Sequence, residues 1–144
     1  MHTLRHKAFT LVEILIVVVI LGILAAVVIP QFAGAVSEAG VGTTQSELTK
    51  IRRAIEVFRV RNENALPTVE AGDGTWGDLI EGNGEYLKEA PANPYIGGEN
   101  AKVIVIGTEP DTEYQQDYGW IYNEETGDIW AGGFDADDEP LPTN

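Results

Sequence analysis

The chain lacks cysteine altogether and has only two histidines, His2 and His6, both within its first six residues. No disulfide can form, and a thiolate nucleophile or a cysteine-ligated metal site is excluded. Serine is almost as scarce, since Ser37 and Ser46 are the only two. We therefore expect neither a Ser–His catalytic triad nor a histidine-ligated zinc site in the main body of the chain. An enzyme of this composition would depend on carboxylates, lysine, arginine or tyrosine.

Basic side chains are few in the second part of the sequence. The whole chain has 9 Lys and Arg against 23 Asp and Glu, which gives a formal net charge of −14. From residue 62 onward, Lys88 and Lys102 are the only basic residues against 19 acidic ones, so this part carries −17 (2 − 19). A surface of this sign repels phosphate groups, and nucleic-acid binding is not expected. The charge fits a well-solvated domain, with the use of divalent cations as an alternative.

One stretch near the N-terminus contains almost no charge. From Phe9 to Ile29 the only charged side chain is that of Glu13. As a helix, these 21 residues would be about 31 Å long, the thickness of a bilayer core. Arg5 and Lys7 precede the stretch and no basic residue follows it closely, which favours an N-terminus in the cytoplasm. A cleaved secretory signal peptide and a plain signal anchor are alternatives, but the apolar run is long for a signal peptide, and a signal anchor explains the length but not Glu13.

The segment "KAFTLVEILIVVVILGILAAVVIPQF" resembles the leader and first helix of type IV pilins and of the related pseudopilins of type II secretion. The resemblance implies that a prepilin peptidase cuts between Ala8 and Phe9, and that the new Phe9 amine is methylated. It also implies that Glu13 of one subunit meets the Phe9 ammonium of its neighbour during filament assembly. Gly22 and Pro30 match a glycine and a proline that loosen the helix in this family. Ala8 stands where the family usually has glycine.

The chain is thus predicted to have three parts: a leader peptide at 1–8, a transmembrane and filament-core helix at 9–30, and a soluble domain at 31–144. The helix is predicted to continue to about residue 61, with a bend near Pro30, because an apolar stripe at helical spacing follows the span. This stripe is formed by Leu48, Ile51, Ile55 and Phe58.

After Pro67 the sequence predicts short strands instead of a helix. A short helix is expected at Trp76 to Ile80, and "KVIVIG" reads as a buried strand. The segment "YGWIYNEETGDIWAGG" reads as a hairpin with strands at Trp120 to Tyr122 and Asp128 to Ala131. The predicted fold class is α+β, with a small antiparallel sheet packed against the stripe of the long helix.

Two features separate pseudopilins from surface pilins. The segment "YLKEAPANPY" resembles the major pseudopilin of type II secretion, and the match is carried by Pro91, Asn93, Pro94 and Tyr95. Adhesive type IV pilins usually close a C-terminal loop with a disulfide, which this cysteine-free chain cannot form. Both features favour a pseudopilin, with a surface pilin for adhesion, motility or DNA uptake as the alternative.

The resemblance implies a structural subunit without enzymatic activity, which polymerises to drive the export of folded proteins. The implied partners are copies of itself, a prepilin peptidase, an inner-membrane assembly platform, minor pseudopilins and the membrane. The implied location is the inner membrane, crossed once, with the N-terminus in the cytoplasm and the C-terminal domain and filament in the periplasm. A membrane-tethered binding module or a carboxylate enzyme is the alternative from another class.

No cofactor is expected, but the acidic segment "FDADDEP" raises the question of calcium, which prefers six to eight oxygen ligands. The candidate ligands are Asp135, Asp137 and Asp138, and the resemblance adds that major pseudopilins hold a calcium ion near the sheet. Asp117 and Asp128 are weaker candidates. The alternative is an acidic segment that is simply solvated.

Overall fold

The computed structural model describes residues 10–73, 76–80 and 85–143, without the side chains of residues 24–37. It contains two compact units, Met1–Val36 and Ser37–Asn144. A single helix, α1, runs over Leu11–Arg61 and so contributes to both units. The predicted helix and its end near residue 61 are confirmed. The bend predicted near Pro30 lies within residues 24–37, whose side chains are outside the described part of the chain, and it stays a prediction.

The C-terminal end of α1 is set by three consecutive polar residues. Asn62 bonds back to the Phe58 carbonyl with both its backbone nitrogen (3.0 Å) and its side-chain Nδ2 (2.8 Å). Glu63 and Asn64 then adopt positive φ angles of 54° and 68°, a left-handed conformation in which an α-helix cannot continue. This local chemistry explains why the helix ends here although the sequence has no glycine at the position.

Four short strands form the sheet: β1 at Gly72–Asp73, β2 at Val103–Ile106, β3 at Trp120–Tyr122 and β4 at Ile129–Ala131. The order is β1-β2-β3-β4. β1 pairs antiparallel with β2, and β3 pairs antiparallel with β4 as the predicted hairpin. The predicted helix near Trp76 is present as a 3₁₀ turn at Gly77–Leu79. The α+β class is confirmed.

The prediction of an antiparallel sheet is wrong at the centre, because β2 and β3 run parallel, with Ile104 opposite Trp120. The connection between them, residues 107–119, contains no helix or strand. A connection of about a dozen residues is long enough to carry the chain back to the same end of the sheet. Because residues 107–119 have no helical pattern, the sequence does not indicate a crossover that would make β2 and β3 parallel.

The core of the second unit lies between the C-terminal half of α1 and the sheet. Leu48, Ile51 and Ile55 of the predicted stripe are buried, and Phe58 is partly buried against the same cluster. The sheet side supplies the largest fully buried side chains, which are Trp76, Trp120, Tyr122 and Phe134. Burial of each large aromatic side chain stabilises the folded state by roughly a few kcal/mol. The amphipathic half of the helix is therefore held by the sheet.

A buried amide connects the helix, a loop and the sheet. The side chain of Asn93 is fully buried, and its Oδ1 accepts hydrogen bonds from Thr44 Oγ1 (2.9 Å) and the Tyr95 amide (3.0 Å). Its Nδ2 donates to the carbonyls of Gly119 (2.9 Å) and Gly132 (3.0 Å). Because a buried polar group is costly unless it is hydrogen-bonded, this network fixes one arrangement of the three segments.

Candidate functional site

The described N-terminal part of α1 exposes an almost continuous apolar surface. Its eleven large aliphatic side chains between Leu11 and Ile23 range from 49% exposed at Val17 to 83% at Leu11. A monomeric soluble protein rarely exposes an apolar area of this extent, since water contact of such side chains is unfavourable. This surface therefore requires another apolar phase or another protein. Within the described residues, no helix meets the length and apolarity needed to cross a membrane.

Glu13 lies in the first turn of this apolar helix and is hydrogen-bonded to Thr10. Its Oε2 accepts from both the backbone nitrogen (2.8 Å) and the hydroxyl (2.9 Å) of Thr10. The Glu13 amide in turn donates to Thr10 Oγ1 at 3.3 Å. This reciprocal arrangement is a capping box, which satisfies backbone N–H groups that a helix start otherwise leaves without acceptors.

The geometry leaves part of the carboxylate for a second role. Both bonds from Thr10 end on Oε2 of Glu13, and the other oxygen, Oε1, receives no hydrogen bond within the described residues. An ammonium group can therefore approach Oε1 while the capping box remains closed. The cap also holds the side chain against the start of the helix. Sequence reasoning missed the role of Thr10, although the spacing "TLVE" is the signature of a capping box.

The other predicted residues of the N-terminal site are described only in part. Ala8 and Phe9, the predicted cleavage pair, lie outside the described residues, as does the side chain of Pro30. Gly22 lies within the continuous helix, and a Cβ added there would meet nothing within 4 Å. Cleavage, methylation and the loosening of the helix at these positions stay predictions.

Asp138 of the predicted calcium group is held by an arginine of the helix. Arg52 contacts both carboxylate oxygens of Asp138, at 2.5 Å and 2.9 Å, and also donates to the Ile129 carbonyl at 3.1 Å. Gln45, two turns earlier on α1, donates to the Asp138 carbonyl at 3.0 Å. A bidentate arginine–carboxylate pair is among the stronger polar contacts in proteins. Asp138 thus connects the C-terminal segment with the helix.

The remaining carboxylates of the predicted group are placed differently. Asp135 Oδ1 accepts from the amides of Asp137 (2.9 Å) and Glu139 (3.0 Å), which stabilises a tight turn. Asp128 accepts the hydroxyl of Thr126 at 2.7 Å in the β3–β4 hairpin. In the part of the chain that the structure describes, no three His, Cys, Asp or Glu side chains converge as a metal site would require. Calcium binding by Asp135, Asp137 and Asp138 stays a prediction, and these contacts lend it no support.

Comparison with known proteins finds one family model and several curated relatives that are similar to this chain. The model of the prokaryotic N-terminal methylation motif matches residues 3–29. The type II secretion system core protein G of Pseudomonas aeruginosa is 33% identical over 116 residues, covering 75% of this chain and 80% of the relative. The protein of the same name from Klebsiella pneumoniae is 37% identical over 122 residues, covering 74% and 86%.

A second kind of relative is similar over a shorter length. The type IV major fimbrial protein FimA of Dichelobacter nodosus is 48% identical over 82 residues, which cover 54% of this chain and 49% of the relative. No solved structure matches the chain.

Proposed function

The chain belongs to the family of the type II secretion system core protein G, and we propose that it works as a pseudopilin subunit whose N-terminal helices form the core of a secretion filament. The observation that carries this proposal is the exposed apolar surface from Leu11 to Ile23, which bears one carboxylate at Glu13. Copies of the chain can bury this surface against each other, or lipid can cover it before assembly. A structural role of this kind requires no catalytic residue.

We further propose that Glu13 supplies a counter-charge for the amino terminus of a neighbouring subunit. Cleavage before Phe9 would create an ammonium group at the start of the helix. In a core of low dielectric, an ammonium and a carboxylate attract strongly, while either one alone is costly. The oxygen of Glu13 that Thr10 leaves open is the acceptor for this pair. Docking of a subunit would then be coupled to completed processing.

We infer the remaining partners and the location from the family resemblance. A prepilin peptidase would cut between Ala8 and Phe9 and methylate Phe9, after which the subunit would wait in the inner membrane. An assembly platform would extract it into a filament that also contains minor pseudopilins. The domain from residue 31 onward would lie in the periplasm. Its formal charge of −15 (7 basic, 22 acidic residues) fits a well-hydrated outer surface.

A surface type IV pilus is the second candidate function. The 48% identity to a type IV major fimbrial protein supports it, although that similarity covers only 49% of the relative. The two candidates differ in where the filament lies. Antibody labelling of intact cells would detect a surface pilus, whereas a periplasmic filament is labelled only after the outer membrane is permeabilised.

Mass spectrometry of the processed protein tests the proposal at its first step. Co-expression of the full chain with a prepilin peptidase should yield a product of 136 residues (144 − 8) that begins with methylated phenylalanine. Electron microscopy of the same cells should reveal filaments, and a chain that starts at residue 31 should form none. A mature N-terminus near residue 27 would indicate ordinary signal-peptide cleavage and contradict the proposal.

A further inference from the structure

A groove on one side of the second unit has an apolar floor and a charged rim. Its volume is about 670 Å³, and it lies between α1 and the segment from Glu85 to Pro94. The helix contributes Ala54 and Val57 to its lining, and Val57 is 38% exposed. The segment contributes Leu87, Ala90, Pro91, Ala92 and Pro94. An open groove of this composition can receive a protein segment.

The groove gathers most of the positive charge of the second unit. Four of the nine basic residues of the chain line it, namely Lys50, Arg53, Lys88 and Lys102. Lys88 and Lys102 are also the only basic residues after residue 62. The groove is thus a basic area on a strongly acidic domain.

The three acids of the groove do not neutralise all of this charge. Glu47 pairs with Lys50 at 2.6 Å, and Glu89 pairs with Lys102 at 3.5 Å. The third acid, Glu85, pairs with Arg61. Two cations of the groove, Arg53 and Lys88, are exposed and have no ion pair within residues 10–73, 76–80 and 85–143. The groove therefore presents two positive charges that an anionic segment can meet.

A segment of the opposite charge lies on the other flank of the helix. In the turn at residues 135–139, Asp137 and Glu139 are exposed, and neither carboxylate has an ion pair in the described part of the chain. The turn is fixed by the bond from the Asp135 amide to the Glu139 carbonyl (3.0 Å) and by the contact of Asp138 with Arg52. The acidic turn is thus ordered before it meets any partner, which lowers the entropy cost of docking.

The helix itself separates the two surfaces. Arg52 and Gln45, one above the other on α1, contact the turn at Asp138. Lys50 and Ala54, which line the groove, are each two residues away from Arg52 in sequence. Because a helix advances about 100° per residue, they lie on the opposite side of α1 from Arg52. One copy therefore cannot fill its own groove with its own turn.

We propose that the groove receives the acidic turn at residues 135–139 of a second copy of this chain, with Asp137 and Glu139 facing Arg53 and Lys88. Contacts between two different surfaces are heterologous, and they propagate into an open helical array when the rotation between copies does not close a ring. Opposite charges on the two surfaces fix the register and disfavour contacts between like surfaces. The inference rests on the proposed filament and identifies which surfaces of the periplasmic domains meet along it.

Cysteine cross-linking tests this contact directly, because the chain has no cysteine of its own. Two full-length variants with different tags, Lys88→Cys and Glu139→Cys, are co-expressed with the prepilin peptidase and oxidised in membranes. We expect a disulfide-linked species that carries both tags. Glu124→Cys replaces an exposed acid of the β3–β4 hairpin and is the matched control for Glu139→Cys. If Glu124→Cys cross-links to Lys88→Cys as strongly as Glu139→Cys does, the disulfides arise from random collision, and the proposed docking is refuted.

Charge reversal supplies the second measurement. Lys88→Glu should lower filament yield about tenfold, since it replaces an attraction at each contact with a repulsion. Glu139→Lys should do the same, and the two changes in one chain should restore much of the yield. The matched control Glu124→Lys should leave the yield within about twofold.

The outcomes separate this inference from the proposed function. Wild-type filaments without the mixed cross-link, and with no effect of either reversal, would overturn the docking and leave the pseudopilin assignment intact. The mixed cross-link in cells that form no filament would support the docking and contradict the filament. If neither the cross-link nor filaments form, both proposals fail.

Discussion

Glu13 reaches back three residues to Thr10, and a single carboxylate oxygen, Oε2, receives both the Thr10 amide at 2.8 Å and the Thr10 hydroxyl at 2.9 Å. The residue proposed to dock a neighbouring subunit is thus also the residue that starts its own helix. Substitution of Glu13 by alanine removes both roles at once. Variants at the two positions are needed to separate them.

Glu13→Ala should leave membrane insertion and cleavage intact but sharply reduce filament assembly. The change removes a charge from an apolar helix, so the monomer should remain in the membrane, and the predicted cut precedes Leu11, the first residue of α1. Each incoming ammonium would lack its counter-charge, and we expect filament yield to fall on the order of tenfold or more. Filament pelleting and mass spectrometry measure the two steps.

Glu13→Gln is the control of matched shape, and it should assemble nearly as poorly as Glu13→Ala, because it keeps the size of the side chain but not the charge. Filaments of Glu13→Ala at wild-type yield would refute the pairing of ammonium and carboxylate. Degradation of the monomer would instead place the role of Glu13 in folding or extraction.

Thr10→Val should have a much weaker effect on assembly than either Glu13 substitution. Valine has nearly the same shape but removes the hydroxyl that Glu13 Oε2 and the Glu13 amide contact. The backbone bond from residue 10 to Glu13 can remain, and so does the charge of the carboxylate. We expect filament yield to fall by about two- to fivefold, as for the partial loss of a helix cap. A loss as severe as that of Glu13→Ala would mean that capping, and not charge pairing, is the essential role.

Asn93→Leu should destabilise the second unit by about 3 kcal/mol or more. Leucine would leave the Thr44 hydroxyl and the Gly132 carbonyl without their buried partner, whereas the Gly119 carbonyl keeps its bond from the Gly132 amide (2.7 Å); each unsatisfied group costs about 1–3 kcal/mol. Urea unfolding of residues 31–144 followed by tryptophan fluorescence measures the change. Asn100→Leu is the control, since Asn100 is exposed and makes one side-chain bond, to the Gln116 carbonyl at 2.7 Å. Equal effects of the two substitutions would contradict a special role of Asn93.

The stability of the same unit should fall between about pH 10 and pH 12. Burial raises the pKa of Tyr122 to about 12, with Glu124 as a further cause. Burial and the hydrogen bond to Asp111 raise the pKa of Tyr118 to about 12 as well. In the unfolded chain a tyrosine ionises near pH 10, so the unfolded state loses its protons first as the pH rises. The stabilisation is complete below about pH 10 and is lost as the pH passes through about 12.

Tyr122→Phe separates this effect from general alkaline damage. The variant loses the bond from the Tyr122 hydroxyl to the Pro67 carbonyl (2.9 Å), which should cost about 1 kcal/mol at neutral pH. Its urea midpoint should then fall less steeply than that of the wild type between pH 9.5 and 11.5. Parallel curves for the two proteins would contradict the assignment of the alkaline loss to Tyr122.

The helix and the face that it packs against the core could be predicted from the spacing of apolar residues, because the spacing of Leu48, Ile51 and Ile55 depends only on the geometry of an α-helix. The β3–β4 hairpin followed from aromatic strands around a turn. The parallel pairing of β2 with β3 could not be predicted in this way, since strand direction depends on the path of residues 107–119, which have no periodic pattern.

In the candidate sites, too, contacts between residues close in sequence could be predicted, whereas contacts between distant residues could not. The capping box of Thr10 and Glu13 is local and was open to prediction from "TLVE", whereas the pair of Arg52 and Asp138 joins residues 86 positions apart. No local pattern indicates such a pair. The charge surplus of the groove likewise depends on which acids are already paired, and only the structure gives these partners.

The buried amide of Asn93 has a consequence for where this domain can fold. It joins segments that are 49, 26 and 39 residues away in sequence, at Thr44, Gly119 and Gly132. In many small secreted domains, disulfide bonds connect distant segments in this way. Hydrogen bonds need no oxidant, no isomerase and no particular thiol potential. The domain can therefore reach the same final structure in an oxidising or a reducing compartment. Folding of the domain therefore does not depend on the redox state of the cell.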